Sequence, residues 1–89
     1  MQLKIQKVTK QSGYIEVGYE MTLDVPQEQQ AGVGATTLLK SGKVGYGNGT
    51  GANAIKADLV TKLNAEQAEL NADTTYQYWG LTYNGTSWS

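Results

Sequence analysis

The sequence predicts a single α+β domain over residues 1–89: an antiparallel sheet that starts with a long β-hairpin, one amphipathic helix over about 52–72 packed on it, and a C-terminal aromatic strand. Three observations predict this. Residues 15–25 alternate strictly, with Ile15, Val17, Tyr19, Met21, Leu23 and Val25 apolar and Glu16, Gly18, Glu20, Thr22 and Asp24 between them. Residues 52–72 set Ala52, Ile55, Leu59, Leu63 and Leu70 on one stripe at the helical period. Five of the eight aromatic residues fall within the last fourteen positions.

The hairpin comes first. Eleven residues of period two mark a long strand with one buried face. Ahead of it Met1, Leu3 and Ile5 are apolar at odd positions, with Gln2, Lys4 and Gln6 between. A two-residue loop at Gln11-Ser12 would set Leu3 against Glu20 and mix the faces. A three-residue loop, Gln11 to Gly13, sets Ile5 against Tyr19, Leu3 against Met21 and Lys4 against Glu20, so like meets like on one face and opposite charges meet on the other. Gly13 then takes the left-handed position of such a loop.

Pro26 ends the second strand, because it has no N–H for a ladder and restricts Val25. Residues 27–35 read as a loop with room for one helical turn in Gln27-Glu28-Gln29-Gln30. Residues 36–46 read as a short second hairpin turning at Ser41-Gly42, with a helix over Ala35 to Lys40 as the alternative. Over 52–72 alanine is abundant and Asp58 stands four residues before Lys62, the favourable order for an ion pair on a helix. Thr50 or Asn53 is the expected N-cap. Glu66 and Lys56 interrupt the edges of the apolar stripe, so one side of the helix stays wet. Thr74 to Tyr83 reads as a strand, followed by an Asn84-Gly85 turn toward Trp88.

Composition bounds the function. A chain of 89 residues builds one core with a thin margin of stability. Cysteine and histidine are absent, which removes disulfides, thiolate metal sites and the commonest general base. Self-association or docking on something larger is the expected compensation. Seven lysines face eight acids for a net charge of −1, with no arginine, which disfavours a nucleic-acid partner. No apolar run reaches the roughly 20 residues of a membrane span. The alternating start is unlike a signal peptide, so synthesis in the cytoplasm is expected.

The motifs point away from catalysis. Gly42, Gly45, Gly47, Gly49 and Gly51 precede a helix, but no Gly-Lys-Ser/Thr closes a phosphate loop and no βαβ frame follows, so a connector or contact loop is the better reading. Glu16, Glu20 and Asp24 share one strand face, and four residues of strand span about 13 Å, too far for a hydrolytic carboxylate pair. Glu66, Glu69 and Asp73 flank the helix end without the alternating acids of a calcium loop. Asn48-Gly49-Thr50 and Asn84-Gly85-Thr86 match a glycosylation sequon, and tight turns account for both. No catalytic residue, cofactor or metal site is expected.

The aromatics remain. On a strand, Trp79, Leu81 and Tyr83 share one face and Tyr76 and Tyr78 the other. A sheet with one helix has one core face, so one set is either covered by a loop such as 27–35 or is a contact surface. Tyr76, Tyr78, Trp79, Tyr83 and Trp88 are therefore the interface candidates. Sugar stacking, with Asn, Thr and Gln around the rings, is the competing use.

The chain is rich in Gly, Thr, Asn and Gln, poor in charge, and closes on Tyr83-Asn84-Gly85-Thr86-Ser87-Trp88. In that closing motif and in composition alone it resembles small virion proteins of tailed bacteriophages, such as capsid decoration or tail accessory proteins. The resemblance covers no aligned domain and carries over no residue roles. It implies a non-enzymatic structural or assembly protein of a virion, bound to a larger structural protein or to copies of itself. The alternatives are a small carbohydrate- or peptide-binding module and a phage-encoded inhibitor of a host enzyme, for which a net charge of −1 is weak acidity.

Overall fold

The computed structural model describes residues 1–75, 78 and 80–89. Strands β1 (Gln2–Gln11) and β2 (Tyr14–Asp24) form the opening hairpin. Gln11 opposes Tyr14, so the turn has two residues, Ser12 and Gly13, and not the expected three. Gly13 has φ +90° while Ser12 does not have positive φ, the arrangement of a type II turn. Near the turn Val8 opposes Val17 and Lys10 opposes Ile15. Between Ile5 and Lys7 the register shifts at a bulge, beyond which Ile5 opposes Tyr19, Lys4 opposes Glu20 and Leu3 opposes Met21, as the alternation predicts.

The bulge has a sequence cause. Apolar residues of β1 sit at odd positions in Leu3 and Ile5 but at an even one in Val8, and one extra residue lets both halves point to the same face. Gln6, at the shift, reaches the Glu20 carboxylate with its amide at 3.3 Å.

Residues 37–47 correct the sequence reading. They form one strand, β3 (Thr37–Gly47), antiparallel to β2 along its whole length, with no turn at Ser41-Gly42 and no helix. The sheet order is β1-β2-β3. Gly42 is there because Tyr19 lies across it: a Cβ at Gly42 would stand 2.7 Å from the Tyr19 hydroxyl. On the opposite face the Tyr14 ring lies over Gly45 in the same way, 3.4 Å from where a Cβ would sit. Tyr19 is the direct cross-strand partner of Gly42 and Tyr14 is a diagonal neighbour of Gly45, so local sequence could not reveal the arrangement.

After Pro26 come a 3-10 turn (Gln27–Gln29), where the sequence left room for one helical turn, and the short α1 (Gln30–Val33) beyond it. The long helix α2 (Ala52–Ala72) matches the predicted span. Ile55, Leu59 and Leu63 are buried against Val17, Met21 and Leu23, so one helix covers one face of the sheet. The N-cap is Gly51, whose carbonyl accepts from the Ile55 N–H at 3.1 Å, and neither Thr50 nor Asn53 caps the helix with its side chain.

Polar groups fasten α2 to the sheet. The Gln67 amide donates to the Asp24 carbonyl at 2.8 Å and accepts from the Asp24 N–H at 2.9 Å. The fully buried Gln29 donates to the Leu70 carbonyl at 2.9 Å and the Asp73 carbonyl at 2.6 Å, closing the helix C-terminus. Lys40 of β3 pairs with Glu66, whose carboxylate raises the lysine pKa above its ordinary value of 10.5. The Tyr46 hydroxyl donates to Asp58. Asp58 also pairs with Lys62 at 3.8 Å, as expected. No helix among the described residues is long and apolar enough to cross a membrane.

The radius of gyration is 18.1 Å, against about 12 Å for a compact chain of this length. The long axis is 64 Å, whereas α2 spans about 31 Å and an eleven-residue strand about 36 Å. No named strand or helix follows α2 among the described residues of the C-terminal segment. Its expected aromatic strand is absent among the described residues, where only Tyr83 and Trp88 form an isolated bridge. Gly80, with φ +78°, lies in a turn that interrupts the run.

Two outcomes check this fold. Gly13→Val should cost about 1–2 kcal/mol in urea unfolding through left-handed strain alone, since nothing lies within 4 Å of the new Cβ; an unchanged midpoint would mean a different turn. Burial first, and then the bond to Asp58, push the Tyr46 pKa from 10.0 up to about 12. Because the folded state holds that proton more tightly than the unfolded chain, the pair's contribution is complete below pH 10 and is lost as pH rises from 10 toward 12. Stability curves for wild type and Tyr46→Phe should therefore converge across that interval.

Candidate functional site

The C-terminal segment folds on itself. Thr82 and Ser89 exchange both backbone hydrogen bonds at 2.9 and 3.0 Å, and Tyr83 opposes Trp88. The Asn84-Gly85 turn stands where the sequence predicts it. Gly85 has φ +92° at the first central position, the signature of a II′ turn. The Asn84 side-chain oxygen accepts from the Thr86 and Ser87 N–H groups, both at 2.9 Å, so that amide oxygen is committed to the turn.

This small hairpin presents aromatic surface. The Tyr83 and Trp88 rings lie 5.4 Å apart, tilted by 46°, a favourable aromatic geometry. The Leu81 N–H bonds the Tyr78 carbonyl at 3.3 Å, which folds Tyr78 and Leu81 back toward Trp88. Tyr78, Leu81 and Trp88 together line a shallow hollow of about 460 Å³. Tyr78 is 65% exposed and Trp88 67%. No charged side chain occurs in residues 74–89.

Of the five predicted contact residues, the structure brings Tyr78, Tyr83 and Trp88 into one neighbourhood. Tyr76 and Trp79 lie outside the described residues. The expected split of Leu81 and Tyr78 onto opposite strand faces is not what forms, because the turn at 78–81 puts both beside Trp88. Leu81 joins the site, and the glycine before it was the available signal. The 27–35 segment does not cover the rings by any hydrogen bond among the described residues; it is spent on the C-terminus of α2 through Gln29.

A second apolar feature was missed in the sequence. Ile5, Val8, Ile15, Ala52 and Ile55 line a groove of about 230 Å³ between the turn-proximal half of β1 and the start of α2. Val8 is 61% exposed there. The change from odd to even apolar positions between Ile5 and Val8 was its signal.

The carboxylates are dispersed over the structure. Glu16 pairs with Lys43 at 3.9 Å on the face away from α2, and Glu20 accepts from Gln6 on the same face. Among the described residues no three His, Cys, Asp or Glu side chains converge as a cation site requires. What the aromatic cluster can do is bury apolar area against another surface. Compared with protein-family models, curated proteins and solved structures, the chain matches none.

Because no hydrogen bond among the described residues joins residues 78–89 to the sheet or to α2, mutations in the two should separate. Tyr78→Ala and Trp88→Ala should leave thermal stability within about 0.5 kcal/mol of wild type, whereas Leu59→Ala, fully buried, should cost about 2–5 kcal/mol. A Trp88→Ala loss on the Leu59 scale would show that the hairpin packs on the body.

Proposed function

We propose that this chain is a non-enzymatic assembly protein that docks on a larger structural protein through the aromatic face of its C-terminal hairpin. The observation that carries the reading is the placement of Tyr78, Leu81, Tyr83 and Trp88: exposed, clustered, in a stretch without a charged side chain, and borne on a segment that no hydrogen bond among the described residues ties to the sheet or to α2. Soluble proteins rarely leave such a patch uncovered, and Tyr and Trp dominate the energetic centres of interfaces. The absence of histidine and cysteine from the sequence supports a role without catalysis. The resemblance to small phage virion proteins supports a capsid or tail particle as the place to look for the partner.

A photo-crosslinking residue at Trp88, with a control at Thr61 on the exposed side of α2, tests this in particles or lysates of the source. Repeated capture of one larger structural protein from position 88 and not from 61 is the expected result. Tyr78→Ala in the same chain should weaken that association by about 2 kcal/mol or more. Binding to an oligosaccharide panel that is lost on Trp88→Ala would replace this reading with sugar recognition. Capture at neither position, with a blank panel, would remove both.

A further inference from the structure

The two edges of the three-stranded sheet are built differently. Each edge strand presents a row of backbone N–H and C=O groups that no neighbour pairs, and proteins normally guard such rows with bulges, prolines or lysines. The β1 edge is guarded. It carries the bulge at Gln6 and three lysines, Lys4, Lys7 and Lys10, that enter no ion pair among the described residues.

The β3 edge is not. Its eleven residues pair with β2 without a register shift and contain no proline. Its two lysines are both drawn away from the edge, Lys40 to Glu66 on the helix and Lys43 to Glu16 on β2. Leu38 and Leu39 are exposed, one on each face. Beyond the ladder with β2, the one β3 backbone group with a partner among the described residues is the Gly47 carbonyl, which accepts from Thr50.

We propose that the β3 edge pairs antiparallel with β3 of a second copy, about a two-fold axis at Gly42, to give a six-stranded sheet in the order β1-β2-β3-β3-β2-β1. Self-complementarity of the strand is the argument for this occupant. An axis through a residue, and not between residues, keeps the α2-facing side of one copy level with that of the other. Through Lys43 or Lys40 it sets lysine against lysine. Through Gly42, the middle of the strand, all of Thr37–Gly47 pairs and no like charges stand directly opposite each other. Leu38 then opposes Tyr46 on the α2 side, and Leu39 opposes Gly45 and Ser41 opposes Lys43 on the other. The axis stands perpendicular to the sheet, so both α2 helices lie on one side. The assembly closes at two copies, because the outer edges are then the guarded β1 strands.

Ser41 is the test position. It is exposed, it opposes Glu20 within its own sheet, and it meets Lys43 of the second copy in the proposed pairing. Sedimentation of the full chain at about 0.1 mM, a concentration that reveals even weak association, should show a dimer. Ser41→Lys places lysine against lysine twice and should raise the dissociation constant about tenfold. Ser41→Glu places glutamate against Lys43 twice and should bind as tightly as wild type or tighter, more so at low salt. Circular dichroism of both variants establishes that the protomer is folded. A wild type that stays monomeric, or two Ser41 variants that weaken alike, overturns the pairing. So does a dimer indifferent to Ser41→Lys but lost on Trp88→Ala, which would put self-contact on the C-terminal hairpin.

Discussion

Burial of one face of β2 under α2 is the contact on which the remaining structure depends. Val17, Met21 and Leu23 are each 1% exposed, and they lie beneath Ile55, Leu59 and Leu63. Each such side chain contributes about 1.5–3 kcal/mol on burial, and a chain of this size has few of them. The central strand therefore tolerates no irregularity, because a slip of one residue would turn its whole apolar set outward. Irregularities are displaced to the flanking strands: the bulge falls in β1 and the ring-covered glycines fall in β3.

That division explains what could be read from the sequence. β2 and α2 were legible to the residue or nearly so, because a long run of a single period leaves few alternatives. The pairing of Leu3, Lys4 and Ile5 was legible too, yet the loop length drawn from it was not. The bulge at Gln6 absorbs one residue, so a two-residue turn leads to the same pairing at the far end of the hairpin as a three-residue turn without a bulge would. β3 was misread because its glycines answer to Tyr19 and Tyr14, far away in sequence, while Ser41-Gly42 carries local turn chemistry. Cross-strand partners decided against local propensity.

The candidate site divides along the same line. The Asn84-Gly85 turn is local chemistry, and it stands where the residues predict it. The gathering of Tyr78, Leu81 and Trp88 depends on a turn at 78–81 that interrupts a run of good strand formers, and glycine at 80 was the one local warning. The groove at Val8 depends on the bulge, so it was hidden for the same reason as the loop length.

The two ends of α2 are held by different physics. At its start the helix has a backbone cap at Gly51 and an open apolar groove. At its end, two glutamine amides tie it to other elements: Gln67 to the backbone of Asp24, and Gln29 to the carbonyls of Leu70 and Asp73. Gln29 is fully buried and its side-chain oxygen has no partner among the described residues, so the two bonds that its amide donates are what offset the cost of burying it. The chain leaves for the aromatic hairpin at Asp73, immediately beyond these ties. The end of α2 that leads to the hairpin is thus the end tied to two other elements, to β2 through Gln67 and to the 27–29 turn through Gln29.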